Sequence, residues 1–272
     1  MSHIPAERCL SIIELLADDA RDMALGEIAH ALDLPKSGAH RMLATLVAQG
    51  WVEQDPETSF YRLTMRLTIL GQRFYVATGI PDLSQPILDR LAGECREFAR
   101  LAVVDGDSLT WLAHAQGATV GLLYQPSLTT STVPLYATAS GKAWLCTLPI
   151  DQAIRNVQRE GFDAAERFGP NVIRSIAALR RELEITARRG FGLAVNEAEP
   201  GVTAVAAAVR PAAGGPALGT VSIAGPSVRV TEGRALELAP LVARAAAELA
   251  AIWPLRQRSR RSAHAGDIAH AA

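Results

Sequence analysis

The sequence predicts an α+β protein in two parts: a small helical unit closed by a β-hairpin, then a connecting helix leading into a larger domain on an antiparallel sheet. Three observations predict it. Apolar residues recur at steps of three and four through the first fifty residues. A short strand–turn–strand pattern follows at 51–63. From Asp82 onward, helical periods alternate with strand-like runs joined by Gly-containing turns. The chain has 272 residues, 49% of them hydrophobic and 20% charged, which suits two packed cores and argues against general disorder. Twenty-seven basic against 28 acidic side chains exclude a uniformly basic coat.

The first helix spans residues 5–17, with Ala6, Cys9, Leu10, Ile13, Leu16 and Ala17 as its apolar face. A second covers Leu25 to Leu32, with Leu25, Ile28, Ala29 and Leu32 inward. A third runs from Ser37, read as its N-cap, to about Gln49, with Gly50 as the stop and Met42, Leu43 and Leu46 buried. Trp51–Gln54 and Phe60–Leu63 are strands across the turn Asp55-Pro56-Glu57-Thr58-Ser59. Helix, helix, turn, helix, hairpin is the layout of a winged helix-turn-helix, assigned to residues 1–63. Leu63 to Ala77 reads as a further helix, so 64–80 is the linker.

In the second part, residues 81–253, Leu83–Phe98 is a helix carrying Ile87, Leu91 and Cys95 at helical steps. Arg100–Val104 and Leu109–Ala115 form a hairpin across Asp105-Gly106. Helices are expected at Ser140–Leu148, Ile150–Glu160, Ile173–Arg189 and Thr231–Trp253. Strands are expected at Phe191–Asn196, Val202–Arg210 and Ala217–Ala224, the last two joined around Gly214-Gly215. Residues 254–272, beginning with Arg256, Arg258, Arg260 and Arg261, are a polar, Ala-rich tail expected to be disordered.

Charge sorts unevenly in the first part. Residues 1–33 carry two Arg and seven acids, a net of −5; residues 34–75 carry five basic and three acidic residues, a net of +2. The positive charge therefore lies on the third helix, the hairpin and the next helix, the parts of a winged helix that face DNA. Lys36, Ser37, Gly38, His40 and Arg41 are the expected major-groove residues, and Arg62 on the wing is placed for a phosphate contact. His30 and His40 lack a third ligand at metal-binding spacing.

The stretches Glu27-Ile28-Ala29, Leu34-Pro35-Lys36-Ser37, His40-Arg41-Met42-Leu43 and Tyr61-Arg62-Leu63 resemble the head of the IclR family of transcriptional regulators. Further on, Pro134 to Ala143 (Pro-Leu-Tyr-Ala-Thr-Ala-Ser-Gly-Lys-Ala) is similar to that family's Thr-Ala-x-Gly-Lys-Ala signature. Arg189-Gly190-Phe191, Glu197, Pro200-Gly201-Val202 and Ser222–Pro226 follow in the family's order. The resemblance covers residues 6 to about 252 and implies a GAF-like effector domain. It departs at Gly38-Ala39, where the family usually has Thr-Val. Gly in a helix costs about 1 kcal/mol relative to Ala and removes a side chain that could touch DNA; alternatively it lets the backbone approach the duplex.

The resemblance also implies an effector site. By family position, the N–H groups of Ala139 and Ser140 should hold an acidic group, as helix starts do for anions. A plain N-cap by Thr138 or Ser140 is the plainer reading of the same residues. The strand positions that match ligand-reaching side chains in the family are Ala194, Ala204, Ser222 and Ala224, with Val202 beside them. Three methyl groups and one hydroxyl predict an effector less polar than a two- or three-carbon oxoacid, with an aromatic carboxylate fitting better. Leu122, Tyr124, Trp111 and Trp144 are looser wall candidates, and Lys142 is read as a loop anchor through a salt bridge.

Catalysis is not expected. A phosphate loop would need Gly and Ser/Thr where Tyr136 and Ala143 stand, Ser140 lacks a Gly-x-Ser-x-Gly setting, and Glu197 and Glu199 read as loop-fixing residues. No cofactor and no metal are expected. The partners expected are a double-stranded DNA operator, roughly an inverted repeat, a small organic acid, and a second or further copies of the chain as homodimer or homotetramer. A ligand-independent DNA binder with a vestigial effector domain is the alternative, separated by whether ligand alters operator affinity. Cys9, Cys95 and Cys146 form neither a disulfide framework nor a ligand pattern. With no apolar signal core in Met1–Pro5 and no apolar run of about 18 residues, the expected compartment is the cytoplasm and no membrane is involved.

Overall fold

A computed structural model of the chain describes residues 4–19, 21–126, 132–211 and 215–253. By its internal contacts it divides into two compact units, Met1–Ala77 and Thr78–Ala272. The expected tail and the Gly214 half of the expected turn lie outside the described residues.

The first unit packs α1 (Ile4–Asp19), α2 (Leu25–Ala31) and α3 (Lys36–Ala48) against the hairpin of β1 (Val52–Gln54) and β2 (Tyr61–Leu63), and ends in α4 (Arg66–Ala77). Its core is Ile12, Leu16, Met23, Ile28, Met42, Leu43, Leu46, Val52 and Tyr61. On α1 the buried stripe runs through Cys9, Ile12, Ile13 and Leu16, while Ala6, Leu10 and Ala17 face solvent, so the expected face was turned too far. Between α2 and α3, Asp33 takes the left-handed conformation (φ 49°), tolerated by its short polar side chain, and the Leu34 N–H bonds Ala29 O at 2.8 Å. The α3 N-cap is Pro35 rather than Ser37. Its fixed φ of −59° suits a helix entry, and Ser37 becomes the second helical residue with its side chain in solvent. Gly50, at φ 72°, stops the helix as expected.

The second unit opens with α5 (Ile80–Cys95) and a five-stranded antiparallel sheet in the order β4-β3-β7-β6-β5, among the described residues. The strands are β3 (Phe98–Asp105), β4 (Ser108–Gln116), β5 (Gly192–Val195), β6 (Val202–Val209) and β7 (Gly219–Pro226). Helices α6 (Ala139–Leu145), α7 (Ile150–Glu160) and α8 (Ile176–Arg189) lie between β4 and β5, and α9 (Glu232–Ile252) ends the unit. Phe98, expected at the end of a helix, instead opens β3: Arg96 turns left-handed (φ 57°) with its N–H on Ala92 O, which ends α5. A 3-10 turn at Asp163–Arg167 was not foreseen.

Strand alternation sorts the sheet. Ala99, Leu101, Val205, Ala207, Val209, Val221 and Ile223 join the core shared with α5 and α9. The opposite face carries small or polar residues: Arg100 and Ala102, Ala204 and Ala206, Thr220, Ser222 and Ala224. Small residues there let α6 approach closely. A Cβ added at Gly192 would overlap the Ala139 carbonyl oxygen, and one at Gly141 would overlap that of Leu135. Both glycines are required by close approach rather than by backbone angle.

Candidate functional site

The small-residue face of the sheet opens into a cavity of about 460 Å³, roofed by the start of α6 and the segments around Tyr124–Pro126 and Arg167-Phe168. All seven residues singled out for an effector line it. Ala139 and Ser140 stand at the α6 start, Ala194 on β5, Val202 and Ala204 on β6, and Ser222 and Ala224 on β7.

At the α6 corner the capping reading holds. Thr138 is the N-cap: its Oγ1 accepts from the Gly141 N–H at 2.9 Å and donates to Pro134 O at 2.7 Å. The N–H groups of Ala139 and Ser140 have no acceptor among the described residues, as the first helical amides usually do not. The Ser140 hydroxyl, 1% exposed, also lacks a partner. An unpaired buried hydroxyl costs free energy unless something answers it.

Lys142 does not face the cavity. It is 2% exposed and ties α6 to the β5–β6 turn, donating to Leu193 O at 2.9 Å and pairing with Glu197 at 2.6 Å. Burial pushes the Glu197 carboxyl above its usual range, even against the attraction of Lys142. Glu199 accepts instead from the Tyr124 hydroxyl at 2.9 Å. The two glutamates thus fix separate contacts. Tyr124 is further held from behind: Gln116 donates to its carbonyl at 3.0 Å, and Arg229 bridges the buried Glu97 (2.6 and 2.8 Å) to Leu122 O (2.7 Å).

Of the looser wall candidates, Trp111 and Tyr124 line the cavity, Trp144 is core, and Leu122 is exposed. Reading the sequence missed Arg100, Arg167, Phe168 and Glu199 as lining residues. Arg100 left a signal: one cation inside the apolar run Phe98-Ala99-Arg100-Leu101-Ala102, at a position that strand alternation does not put in solvent. The four strand positions read from the sequence, three methyl groups and the Ser222 hydroxyl, are therefore not the whole wall. The low polarity holds for β5, β6 and β7, and β3 supplies a charge.

In the first unit, Lys36, Ser37, His40 and Arg41 share one exposed hollow with Leu25 on the outer side of α3. Gly38 is half-buried beside them, and a Cβ there would meet only the ends of Met42 and Pro35, at 3.9 and 4.0 Å. Arg62, expected to meet a phosphate, is paired within the free chain. Its guanidinium is engaged by Glu53 at 2.6 Å, Asp22 at 3.1 Å and Asp55 at 3.7 Å, so three carboxylates surround the one cation. Amide donors from Thr58 and Glu57 hold the Asp55 carboxyl below its usual range, which keeps that cage charged.

The model of the IclR helix-turn-helix domain matches residues 5–56, and that of the bacterial transcriptional regulator IclR C-terminal domain matches residues 73–251. The chain belongs to the IclR family of bacterial transcriptional regulators. It is 32% identical over 245 residues to the HTH-type transcriptional regulator BhcR of Paracoccus denitrificans, covering 89% of this chain and 85% of that one. A putative IclR regulator from Silicibacter sp. has the same fold (TM-score 0.77, 21% identity, 90% of this chain and 94% of that one). So does an IclR homologue from Microbacterium hydrocarbonoxydans complexed with 4-hydroxybenzoate (TM-score 0.67, 23% identity, 91% and 98%).

IclR-family membership makes the first unit a DNA-binding head and the second an effector-binding domain, in a regulator rather than an enzyme. Among the described residues, no helix is long and apolar enough to cross a membrane, and no cluster of three His, Cys, Asp or Glu is arranged around a metal position.

Proposed function

We propose that the protein is a ligand-responsive regulator whose effector is a small organic acid with an apolar, flat body. The observation that carries this reading is the α6 corner: two backbone N–H groups without an acceptor stand at the helix start that lines a cavity walled by alanines. A carboxylate there would answer those two donors. Size argues for more than a two-carbon acid. At about 30 Å³ per water, the cavity of about 460 Å³ holds the volume of roughly fifteen waters, which a five-atom oxoacid leaves mostly unfilled and a benzoate-sized acid of about nine atoms fills far better. The 4-hydroxybenzoate complex of a protein with this fold is in keeping with an aromatic occupant.

On the DNA side, Lys36, Ser37, Gly38, His40 and Arg41 are the residues proposed to enter the major groove. Arg62 is given a different task, holding the wing to the segment before α2. The chain is proposed to act as a homodimer or homotetramer on a rough inverted repeat. Support comes from α4, which buries none of its residues and leaves Ile69, Leu70 and Val76 half or more exposed, with Met65 just before it. Residues 64–80 are the proposed route from effector to head, and a coupling of about 1–3 kcal/mol would change operator affinity about 5- to 150-fold.

Two variants test the division of labour. Arg41→Ala should weaken operator binding in a fluorescence titration and leave acid binding intact. Ala204→Trp, which fills the cavity, should abolish calorimetric acid binding and leave operator binding in place. An Ala204→Trp variant that binds the acid as well as the wild type would remove the cavity from the account.

A further inference from the structure

We infer that Arg100 is a second anchor of the effector cavity and that the effector is therefore a dicarboxylate, its two acid groups separated by an apolar body. The inference rests on the reading of this cavity as the effector site. Its own observation is a buried cation without an ion pair. The Arg100 side chain lines the cavity and is only 8% exposed, yet no carboxylate stands within ion-pair distance of it among the described residues. Glu199 lines the same cavity, but its carboxylate is taken up by the Tyr124 hydroxyl. What holds the guanidinium is aromatic: it lies 4.0 Å over the Trp111 ring and 5.6 Å from the Phe98 ring. Those faces satisfy its charge in part and leave its N–H edges free. A guanidinium held over an indole is less free to turn, and its fork of donors suits a carboxylate bidentately.

The sheet sets the span between the two anchors. The α6 start packs on Ala194, Ala204 and Ala206 of β5 and β6, whereas Arg100 stands on β3, beyond β7. Two strand intervals of about 4.8 Å separate the β3 backbone at Arg100 from β6, so the two anchors stand on different strands with the cavity between them. Ala204, Ala224 and Ser222 floor the space between, so the body of the ligand meets methyl groups while its ends meet donors. A monocarboxylate of the same length answers one end and leaves Arg100 desolvated and unpaired. Selection for a second negative group follows from that cost.

The test is calorimetric titration of the full chain with terephthalate and with monomethyl terephthalate, which has nearly the same shape but one charge fewer. Terephthalate should bind at least about ten-fold more tightly, the range of a charge-assisted hydrogen-bonded contact. Arg100→Gln should erase that preference, with cooperative thermal unfolding reporting that the variant is folded; Arg100→Lys should keep part of the preference. Equal affinities in the wild type, or an Arg100→Gln variant that still prefers the diacid, would overturn the dicarboxylate assignment alone. No binding of either compound to the wild type would overturn it together with the aromatic-acid reading of the cavity.

Discussion

Replacing Lys142 by Met should cost the effector domain about 3–5 kcal/mol, the usual result of leaving a buried charge without its partner. In the wild type the ammonium meets Glu197 at 2.6 Å, Leu193 O at 2.9 Å and, more distantly, Glu182 at 3.6 Å. Without it, the Glu197 carboxylate keeps only the Val195 N–H at 3.4 Å and faces Glu182 of like charge. In a unit of this size, about 1 kcal/mol moves the melting temperature by about 2–4 °C, so the single variant should melt roughly 6–20 °C lower. The double variant Lys142→Met/Glu197→Gln removes both charges and should recover to within about 1–2 kcal/mol of wild type, because a buried pair contributes little net stability over neutral groups. Thermal and urea unfolding of wild type, both single variants and the double variant complete the cycle. A Lys142→Met variant within about 1 kcal/mol of wild type, or a double variant as unstable as the sum of the singles, would refute the claim that this lysine anchors α6 to the β5–β6 turn.

Two further outcomes follow from the same kind of reasoning. Gly38→Ala should stabilise the head by about 0.5–1 kcal/mol in urea unfolding, because the added methyl meets only ordinary contacts with Met42 and Pro35; a more stable variant that binds the operator more weakly identifies Gly38 as a point of close backbone approach to DNA. Glu160 turns its carboxylate onto the Leu135 N–H at 3.0 Å, and desolvation pushes its pKa up to about 7. A raised folded-state pKa means that its contribution is full below the ordinary carboxylate range and is lost as pH rises through about 7, so wild-type stability should decline between about pH 4.5 and 7 relative to a Glu160→Gln variant. Parallel pH profiles for the two proteins would contradict this.

Much of the architecture was legible in the chain because it rests on local periodicity. The α7 boundaries at Ile150 and Glu160 and the hairpin across Asp105-Gly106 follow from apolar spacing and turn residues within short windows. Errors fell where a longer-range partner decides. Leu10 fits a helical stripe as well as Ile12 does, and only the packing of α2, α3 and the hairpin selects Ile12 for burial. Ser37 is a separate, local case: it is a good N-cap in isolation, but the fixed φ of Pro35 starts the helix two residues earlier.

The cavity divides along the same line. Its β5, β6 and β7 walls were accessible from the sequence because they sit in ordered motifs, and the alternation of Val205, Ala207 and Val209 with Ala204, Ala206 and Ala208 already distinguishes a packed face from an open one. Arg100, Trp111 and Tyr124 are between 70 and 94 residues from Ala194 and come together with it only through the order β4-β3-β7-β6-β5. Arg62 makes the same point in the head: one-dimensional order shows a cation on the wing, while folding brings Asp22, 40 residues away, onto its guanidinium. Local chemistry sets which segments are helix, strand or turn, since those choices depend on neighbours a few residues apart. Which charges stand free and which are neutralised depends on strand order and helix placement, since electrostatic partners are chosen by distance in space.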